Sequence, residues 1–181
     1  MRPVISFIGR SGVGKTTLIE NIIPELKARG YRVAVIKHTP HGFDMDTKGK
    51  DSWRFSRAGA DIVAVSSLDR LCVIQQTPEE ISLEQIISTL ESQVDLILVE
   101  GYKHSHWPKI EVVRSPLSYN ILNSQHNIEA VVSDQQLPLD IPQFRFHETR
   151  AIASFIIERL TVETLAPMMD EVAYSSPGAS N

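Results

Sequence analysis

A glycine-rich segment near the start of the chain constrains its fold more than any other part of the sequence. Residues 9–16 read Gly-Arg-Ser-Gly-Val-Gly-Lys-Thr and fit the phosphate-loop pattern G-x-x-x-x-G-K-[ST] at every fixed position. The glycines allow a tight turn whose backbone N–H groups converge on an anion. We therefore predict that phosphate is bound by the loop and the residues directly after it, namely Gly9, Ser11, Gly12, Val13, Gly14, Lys15, Thr16 and Thr17.

The sequence on both sides of the loop predicts the strand and the helix that this motif requires. Residues 3–8 form a short, mostly apolar run, which is typical of a buried strand. From Lys15 onward, leucine and isoleucine recur at helical spacing as far as Gly30, a residue that favours a helix end. The helix N-terminus would add its free amides and its dipole to the anion site. Lys15 would reach the outer phosphates, and the Thr16 hydroxyl would be a ligand of Mg²⁺.

Later apolar runs extend this start into a P-loop NTPase-type fold. A strand at 31–37 completes a βαβ unit, so the sheet is parallel at its start. The other predicted strands cover residues 61–66, 70–75, 94–101, 109–114, 128–133 and 144–146, and the other helices cover 51–58, 82–90 and 149–160. Strands 61–66 and 70–75 form an antiparallel hairpin because only three residues connect them. The predicted fold is a three-layer α/β/α sandwich with a mostly parallel sheet and this hairpin.

The composition is that of an ordinary globular chain, with 181 residues that are 42% hydrophobic and 22% charged. We predict one domain over residues 1–160 and a polar tail over 161–181 that is disordered at its end. The net charge of −4 argues against nucleic acid as a partner, and no apolar run is long enough to span a membrane. The single cysteine, Cys72, lies in an apolar run and is predicted to be a buried core thiol. With no disulfide and no signal segment, the expected location is the cytoplasm.

An acidic residue ends the most strongly apolar predicted strand. Residues 94–99 are nearly all apolar and are followed by Glu100 and Gly101. A phosphate-loop protein needs a carboxylate near its magnesium ion, and that carboxylate usually ends a neighbouring buried strand. We predict that Glu100 holds Mg²⁺ together with Thr16, either directly or through a water, and that Lys15 and Glu100 are the catalytic pair. The alternative is a solvated carboxylate at a strand end.

The loop at 38–51 contains two histidines and two aspartates. His38, His41, Asp44 and Asp46 could bind a transition metal, but their spacing does not force them to converge. We favour a position near the magnesium ion and its water for Asp44 or Asp46. Asp46 is therefore included among the predicted nucleotide-binding residues.

A carboxylate late in the chain is the candidate for recognising the base of the nucleotide. A carboxylate can accept hydrogen bonds from both the ring N–H and the amino group of guanine. The Asn-Lys-x-Asp signature that is usual in guanine-binding proteins is missing. However, Asp134 directly follows the strand at 128–133, where that signature normally lies. The alternative is an aspartate that only forms a turn.

Several of these segments, taken in order, resemble one known family. They are residues 9–17, 36–39, 43–46, 49–52, 58–60 and 96–103. Together they resemble the molybdopterin-guanine dinucleotide biosynthesis adapter protein family (MobB), over residues 2–160. One departure is Lys48, which stands before Gly49 where the family often has proline.

The resemblance implies a GTP-binding protein with weak GTP hydrolysis, Mg²⁺ as its metal and a homodimeric state. It also implies a partner, the molybdenum cofactor guanylyltransferase that joins GMP to molybdopterin, and contact with the molybdopterin cofactor itself. At the positions that match the family's motifs, residues 12–17 would bind the phosphates, and Thr16 and Glu100 would hold the metal. The loop at 38–51 would face the nucleotide or the partner.

Two other functions remain open at this point. A small-molecule kinase on the same fold would need a mobile lid rich in arginine, and the polar stretch at 115–127 contains none. A pure interaction protein would bind the nucleotide without turnover. Arg10, inside the phosphate loop, is a candidate for stabilising phosphate charge, whereas no arginine finger or water-positioning glutamine is identified.

Overall fold

The computed structural model describes residues 4–115 and 127–159. In chain order, the elements are β1 (Val4–Ile8), α1 (Lys15–Ala28), β2 (Val33–Lys37), α2 (Asp51–Arg57), β3 (Ile62–Ser66), β4 (Leu71–Gln75), α3 (Leu83–Leu90), β5 (Leu96–Glu100), β6 (Lys109–Val113), β7 (Ile128–Ser133) and β8 (Gln143–Phe144). The part of the chain that the structure describes closes with a helix, α4, at residues 149–159. The predicted tail at 161–181 lies outside the described residues.

The described residues form two compact units. The smaller unit is Thr39–Ile86, and the larger one contains the described residues before and after it. The predicted domain boundary at residue 160 stays a prediction. None of the described helices is long and apolar enough to cross a membrane.

The larger unit is built on a six-stranded sheet. The strand order is β2-β5-β1-β6-β7-β8, and every neighbouring pair is parallel. All six strands therefore end at the same edge of the sheet. The sheet, its helices and the separate antiparallel pair confirm the predicted P-loop NTPase-type α/β fold class, including its parallel start. The predicted strand at 144–146 is instead the two-residue β8, one position earlier.

One face of this sheet packs against α1 and α4. Alternate residues of the central strands point to that face because successive side chains of a strand lie on opposite sides. The cluster comprises buried residues from four strands and two helices, among them Phe7, Leu98, Val112, Val132, Leu18, Ile22, Leu26, Ile152 and Ile156. This packing holds the start of α1 against the carboxyl edge of the sheet.

The predicted end of α1 is confirmed in detail. Gly30 has φ +88°, a conformation that L side chains rarely adopt. Its N–H donates to the carbonyl of Lys27 at 3.0 Å, and the N–H of Tyr31 donates to the carbonyl of Leu26 at 3.2 Å. These two bonds form a Schellman motif, which satisfies the last carbonyls of the helix and turns the chain toward β2.

The smaller unit contains the predicted antiparallel hairpin. Strands β3 and β4 pair only with each other within the described residues. The prediction that Cys72 is a buried core thiol is wrong, since this residue is exposed. The apolar run around it lies in a two-stranded sheet, and among the described residues it has no further neighbouring strands like those that bury a similar run in the larger sheet.

Candidate functional site

The phosphate loop connects β1 to α1 and is bounded by glycines with positive φ. Gly9 has φ +138° and Gly14, the residue before α1, has φ +100°. A Cβ at Gly9 would lie 2.3 Å from the carbonyl oxygen of Val112 on β6. Only glycine allows this close approach, so the loop is packed directly onto the neighbouring strand.

Lys15, the first residue of α1, lies against its own loop. Its Nζ donates to the carbonyl oxygens of Gly9 and Arg10, each at 2.9 Å. Burial lowers the pKa of Lys15 below the ordinary 10.5, Glu100 opposes this shift, and Lys37 adds to it. The loop therefore holds an ammonium group where it can meet a phosphate oxygen.

The predicted metal ligands are brought together. The Thr16 hydroxyl donates to both Glu100 oxygens, Oε1 and Oε2, at 3.0 Å. This contact follows from the topology, because β5 lies next to β1 and Glu100 is in register with Phe7. Lys37 ends β2, in register with Glu100, and its Nζ lies 3.3 Å from both Thr16 Oγ1 and Glu100 Oε2.

These side chains fit a magnesium ion. A hydroxyl and a carboxylate are oxygen ligands of the kind that Mg²⁺ prefers, and Mg²⁺ commonly uses few protein ligands together with waters and phosphates. The Lys37 ammonium bridges the two groups, which shows that a cation can lie beside both. Within the described ranges, no three His, Cys, Asp or Glu side chains converge as a metal-binding group.

Backbone bonds fix the position of Glu100 at the end of its strand. The N–H of His38 donates to the Glu100 carbonyl at 3.0 Å, and the N–H of Gly101 donates to the Phe7 carbonyl at 3.1 Å. Gly101 has φ +107°, and a Cβ there would lie 3.2 Å from the His38 Cβ. The ends of three adjacent strands are thereby tied together beside the phosphate loop.

Asp134 follows β7 and lies at the same edge of the sheet. The backbone N–H of Ser115, just after β6, donates to its Oδ1 at 3.2 Å and to its Oδ2 at 3.1 Å. The carboxylate thus connects the ends of β6 and β7, and further lone pairs remain for a ligand. The role of Asp134 in base recognition stays a prediction.

Asp46 belongs to the smaller unit. Its Oδ1 accepts hydrogen bonds from the backbone N–H of Thr47 at 2.8 Å and from the Ser52 hydroxyl at 2.9 Å. Its Oδ2 is buried and has no hydrogen-bond partner among the described residues. One oxygen therefore organises the loop, and the nucleotide-binding role of Asp46 stays a prediction.

Two cationic residues near the loop were missed by the sequence reasoning. Lys37 lies at the end of a predicted strand, as Glu100 does. This shared position at a strand end is the sequence feature that could have identified Lys37. Arg114 follows β6, and its guanidinium Cζ lies 4.0 Å from the centroid of the Phe146 ring. Its Nη2 would be 3.6 Å from a Cβ at Gly14. Nothing in the sequence pattern predicts that contact.

Comparison with known proteins decides the family. Residues 4–134 match the family model described as "Molybdopterin guanine dinucleotide synthesis protein B" (MobB). The chain belongs to the MobB family. The predicted resemblance is therefore confirmed over most of the described residues.

Curated relatives and solved structures agree with this membership. The molybdopterin-guanine dinucleotide biosynthesis adapter protein of Escherichia coli (strain K12) is 40% identical over 164 residues, which span 87% of this chain and 93% of that protein. The Haemophilus influenzae protein of the same name is 37% identical over 155 residues, covering 85% and 87%. A crystal structure of a molybdopterin-guanine biosynthesis protein B superposes with a TM-score of 0.73 at 33% identity, covering 87% of this chain and 99% of that one.

Proposed function

We propose that this MobB-family chain is a GTP-binding adapter with weak GTPase activity. It would assist the nucleotidyltransferase that attaches GMP to molybdopterin in molybdenum cofactor biosynthesis. The observation that carries the nucleotide part is the contact of Thr16 with Glu100, beside Lys15 and the phosphate loop. The adapter part is supported by the names of the relatives, which describe adapter proteins of molybdopterin-guanine dinucleotide biosynthesis.

Phosphate binding would use groups already gathered at the loop. The backbone N–H groups of residues 12–17 would bind the phosphate oxygens, helped by the N-terminus of α1. Lys15 Nζ would exchange its two carbonyl partners for phosphate oxygens, a stronger charge-assisted contact. Thr16 and Glu100 would hold Mg²⁺, which neutralises phosphate charge when bound. Lys37 would leave the space between them and stay at its rim.

Slow hydrolysis fits the groups that the chain supplies. Lys15 and the magnesium ligands stabilise phosphate charge, but no residue has been identified that positions an attacking water. Arg10 is a candidate for added charge stabilisation. If the Arg10→Ala variant kept both GTP affinity and hydrolysis rate, Arg10 would have no such role.

Guanine selection would come from Asp134, with Asp46 as a further nucleotide-binding group. Asp134 lies at the carboxyl edge of the sheet, where a carboxylate can accept from the guanine N–H and amino group. The unpartnered Oδ2 of Asp46 supports a role in binding a ligand or a metal-bound water. Asp134→Asn should reduce the preference for GTP over ATP without weakening tripolyphosphate binding.

A homodimer would cover the exposed hairpin of the smaller unit. Several large apolar side chains there are exposed, namely Ile62, Val65, Leu68, Leu71 and Val73. Each of the two strands also has one edge without a partner strand among the described residues. Exposed apolar strands of this kind favour association with another chain. We expect the dimer to act in the cytoplasm, where GTP is supplied.

The deciding experiment compares GTP with ATP in the presence of Mg²⁺. Binding and phosphate release would be followed with and without the guanylyltransferase, and GMP attachment to molybdopterin would be measured in the same mixtures. We expect tighter GTP binding, slow phosphate release and faster GMP attachment in the presence of the adapter. Tighter ATP binding, phosphoryl transfer to a pterin or sugar, or no effect on the transferase would overturn the proposal.

A further inference from the structure

The large sheet has a switch point between β1 and β6. From β1 the chain continues to β2 on one side of the sheet, and from β6 it continues to β7 on the other side. In open parallel sheets, ligands bind in the crevice at such a point, outside the carboxyl ends of the strands. Here the crevice is bounded by the phosphate loop after β1 and by Arg114, the first residue after β6.

Contacts on both sides hold Arg114 next to the loop. Its guanidinium lies over Phe146, and the Phe146 ring packs against the main hydrophobic cluster. The following residue, Ser115, is tied to Asp134 through its backbone N–H. The Arg114 side chain is exposed, and none of the described carboxylates is ion-paired with it. A fixed and uncompensated cation thus lies at 3.6 Å from the Cβ position of Gly14.

The metal ligands indicate which part of a nucleotide would reach this cation. Glu100 belongs to β5, on one side of β1, whereas Arg114 follows β6, on the other side. A magnesium ion binds the outer phosphates of a nucleoside triphosphate, so those phosphates belong on the Glu100 side. The other end of the triphosphate, which carries the nucleoside, then extends toward β6.

We propose that Arg114, held in place by Phe146, is a nucleoside-binding residue on which the purine ring stacks. A guanidinium is planar and weakly hydrated, so it stacks on an aromatic face better than an ammonium group does. Phe146 acts on the ligand only through Arg114 and is a positioning residue. This inference rests on the nucleotide binding proposed above.

The test compares GTP with inorganic tripolyphosphate, both with Mg²⁺, by titration calorimetry. The variants are Arg114→Ala, Arg114→Lys and Phe146→Leu. We expect Arg114→Ala to weaken GTP binding about tenfold, a loss typical of a partly desolvated cation–π contact. Tripolyphosphate binding should change less than about twofold, since that ligand has no purine to stack. Arg114→Lys keeps the charge but loses the planar group, so it should restore little of the GTP affinity.

Two controls make the outcomes distinct. Arg32→Ala removes one positive charge before β2, near the opposite edge of the sheet, and should leave GTP affinity unchanged. Phe146→Leu should weaken GTP binding less than Arg114→Ala, and should leave tripolyphosphate binding unchanged, while circular dichroism confirms that the variant is folded. Equal losses for GTP and tripolyphosphate, full rescue by lysine, or no loss with GTP would each overturn the stacking role. If the unchanged protein bound neither ligand, the proposed function itself would fail.

Discussion

Strands β5 and β4 have similar apolar sequences and opposite environments. In β5, Leu98 is 0% exposed, because β1 and β2 flank the strand and α1 packs on the same face as Leu98. In β4, Leu71 is 70% and Val73 is 54% exposed, because β3 is the only strand paired with it among the described residues. The contrast shows that an apolar run predicts a strand, whereas its burial depends on how many other elements cover it.

A similar contrast appears at some of the glycines, although Gly30 in the larger unit also has nothing within 4 Å of its Cβ position. In the larger unit, a Cβ at Gly9 or Gly101 would meet another segment within 3.4 Å. In the smaller unit, a Cβ at Gly42, Gly49 or Gly59 would have nothing within 4 Å. All six glycines have positive φ, so backbone conformation is a common requirement and close packing belongs to Gly9 and Gly101 of the larger unit.

The largest effect is expected from a core leucine compared with a hairpin leucine. Leu98→Ala should lower the free energy of unfolding by about 3 kcal/mol, since it removes buried methyl groups and leaves a cavity. Leu71→Ala, the same change in an exposed strand, should cost less than about 0.5 kcal/mol in dilute protein. Urea unfolding followed by the fluorescence of Trp107, in a Trp53→Phe background, would report on the larger unit, and circular dichroism on the whole chain.

An equal loss in the two variants would show that the exposure seen in one chain does not describe the protein in solution. The expected contrast would then return only after dilution below the dissociation constant of an assembly. If Leu98→Ala were as mild as a surface change, the buried cluster around α1 would not dominate stability.

The second prediction compares Gly9→Ala with Gly59→Ala. Both changes place a side chain at positive φ and share that cost of about 1 kcal/mol. Gly9→Ala must also move the new Cβ away from the Val112 carbonyl, which should cost about 2 kcal/mol more. Thermal unfolding would measure both, and tripolyphosphate titration should show lost binding only for Gly9→Ala. Equal destabilisation would mean that the loop can move away from β6 without penalty.

Much of the larger unit could be predicted from the sequence because its signals are local. The phosphate loop, the helical spacing after Lys15 and the stop at Gly30 each depend on neighbouring residues. The parallel start follows from one βαβ connection. The exposure of Cys72 could not be predicted in this way, since it depends on which other strands pair with β4, and no local pattern records that.

The residues of the candidate site also differ in whether local sequence marks them. Lys15, Thr16 and Glu100 could be named because a motif and a strand end mark them. Lys37 and Arg114 enter the site through strand order, which brings the ends of β2 and β6 to either side of β5 and β1. Asp46 lies in a polar loop of the smaller unit, where the sequence spacing does not force the side chains to converge.

The third prediction concerns the proposed dimer. Leu71→Ser together with Val73→Thr should raise the dissociation constant about tenfold, equivalent to about 1.4 kcal/mol. The paired change Leu71→Ile and Val73→Ile keeps the surface apolar and serves as the control. Analytical ultracentrifugation over a concentration series would measure both. An unchanged dimer in the polar variant would place the interface away from the hairpin.

The smallest expected effect is the pH dependence of phosphate binding. The pKa of Lys15 is lowered below 10.5 mainly by burial, so its ammonium group loses its proton earlier than an exposed lysine would as the pH rises. Bound phosphate favours the charged form, so affinity should be constant below the lowered pKa and then fall by at most about tenfold per pH unit. For the stability of the free protein, the effect of raising the pH has the opposite sign. Burial of the charged form destabilises the fold at neutral pH, and this cost decreases as the pH rises from the lowered pKa toward 10.5.

Lys15→Arg is the matched control for this titration. Its guanidinium stays charged over the whole range, so any decline that it shares with the unchanged protein reflects ionisation of the ligand. The difference between the two curves of affinity against pH therefore reports the ionisation of Lys15. Lys37→Ala should move that difference to higher pH, because Lys37 lowers the pKa of Lys15. Glu100→Gln should move the difference to lower pH, because Glu100 raises the pKa of Lys15. If neither variant moved the curve, Lys15 would not sense the charges that surround Thr16, and the phosphate loop and the metal ligands would act independently.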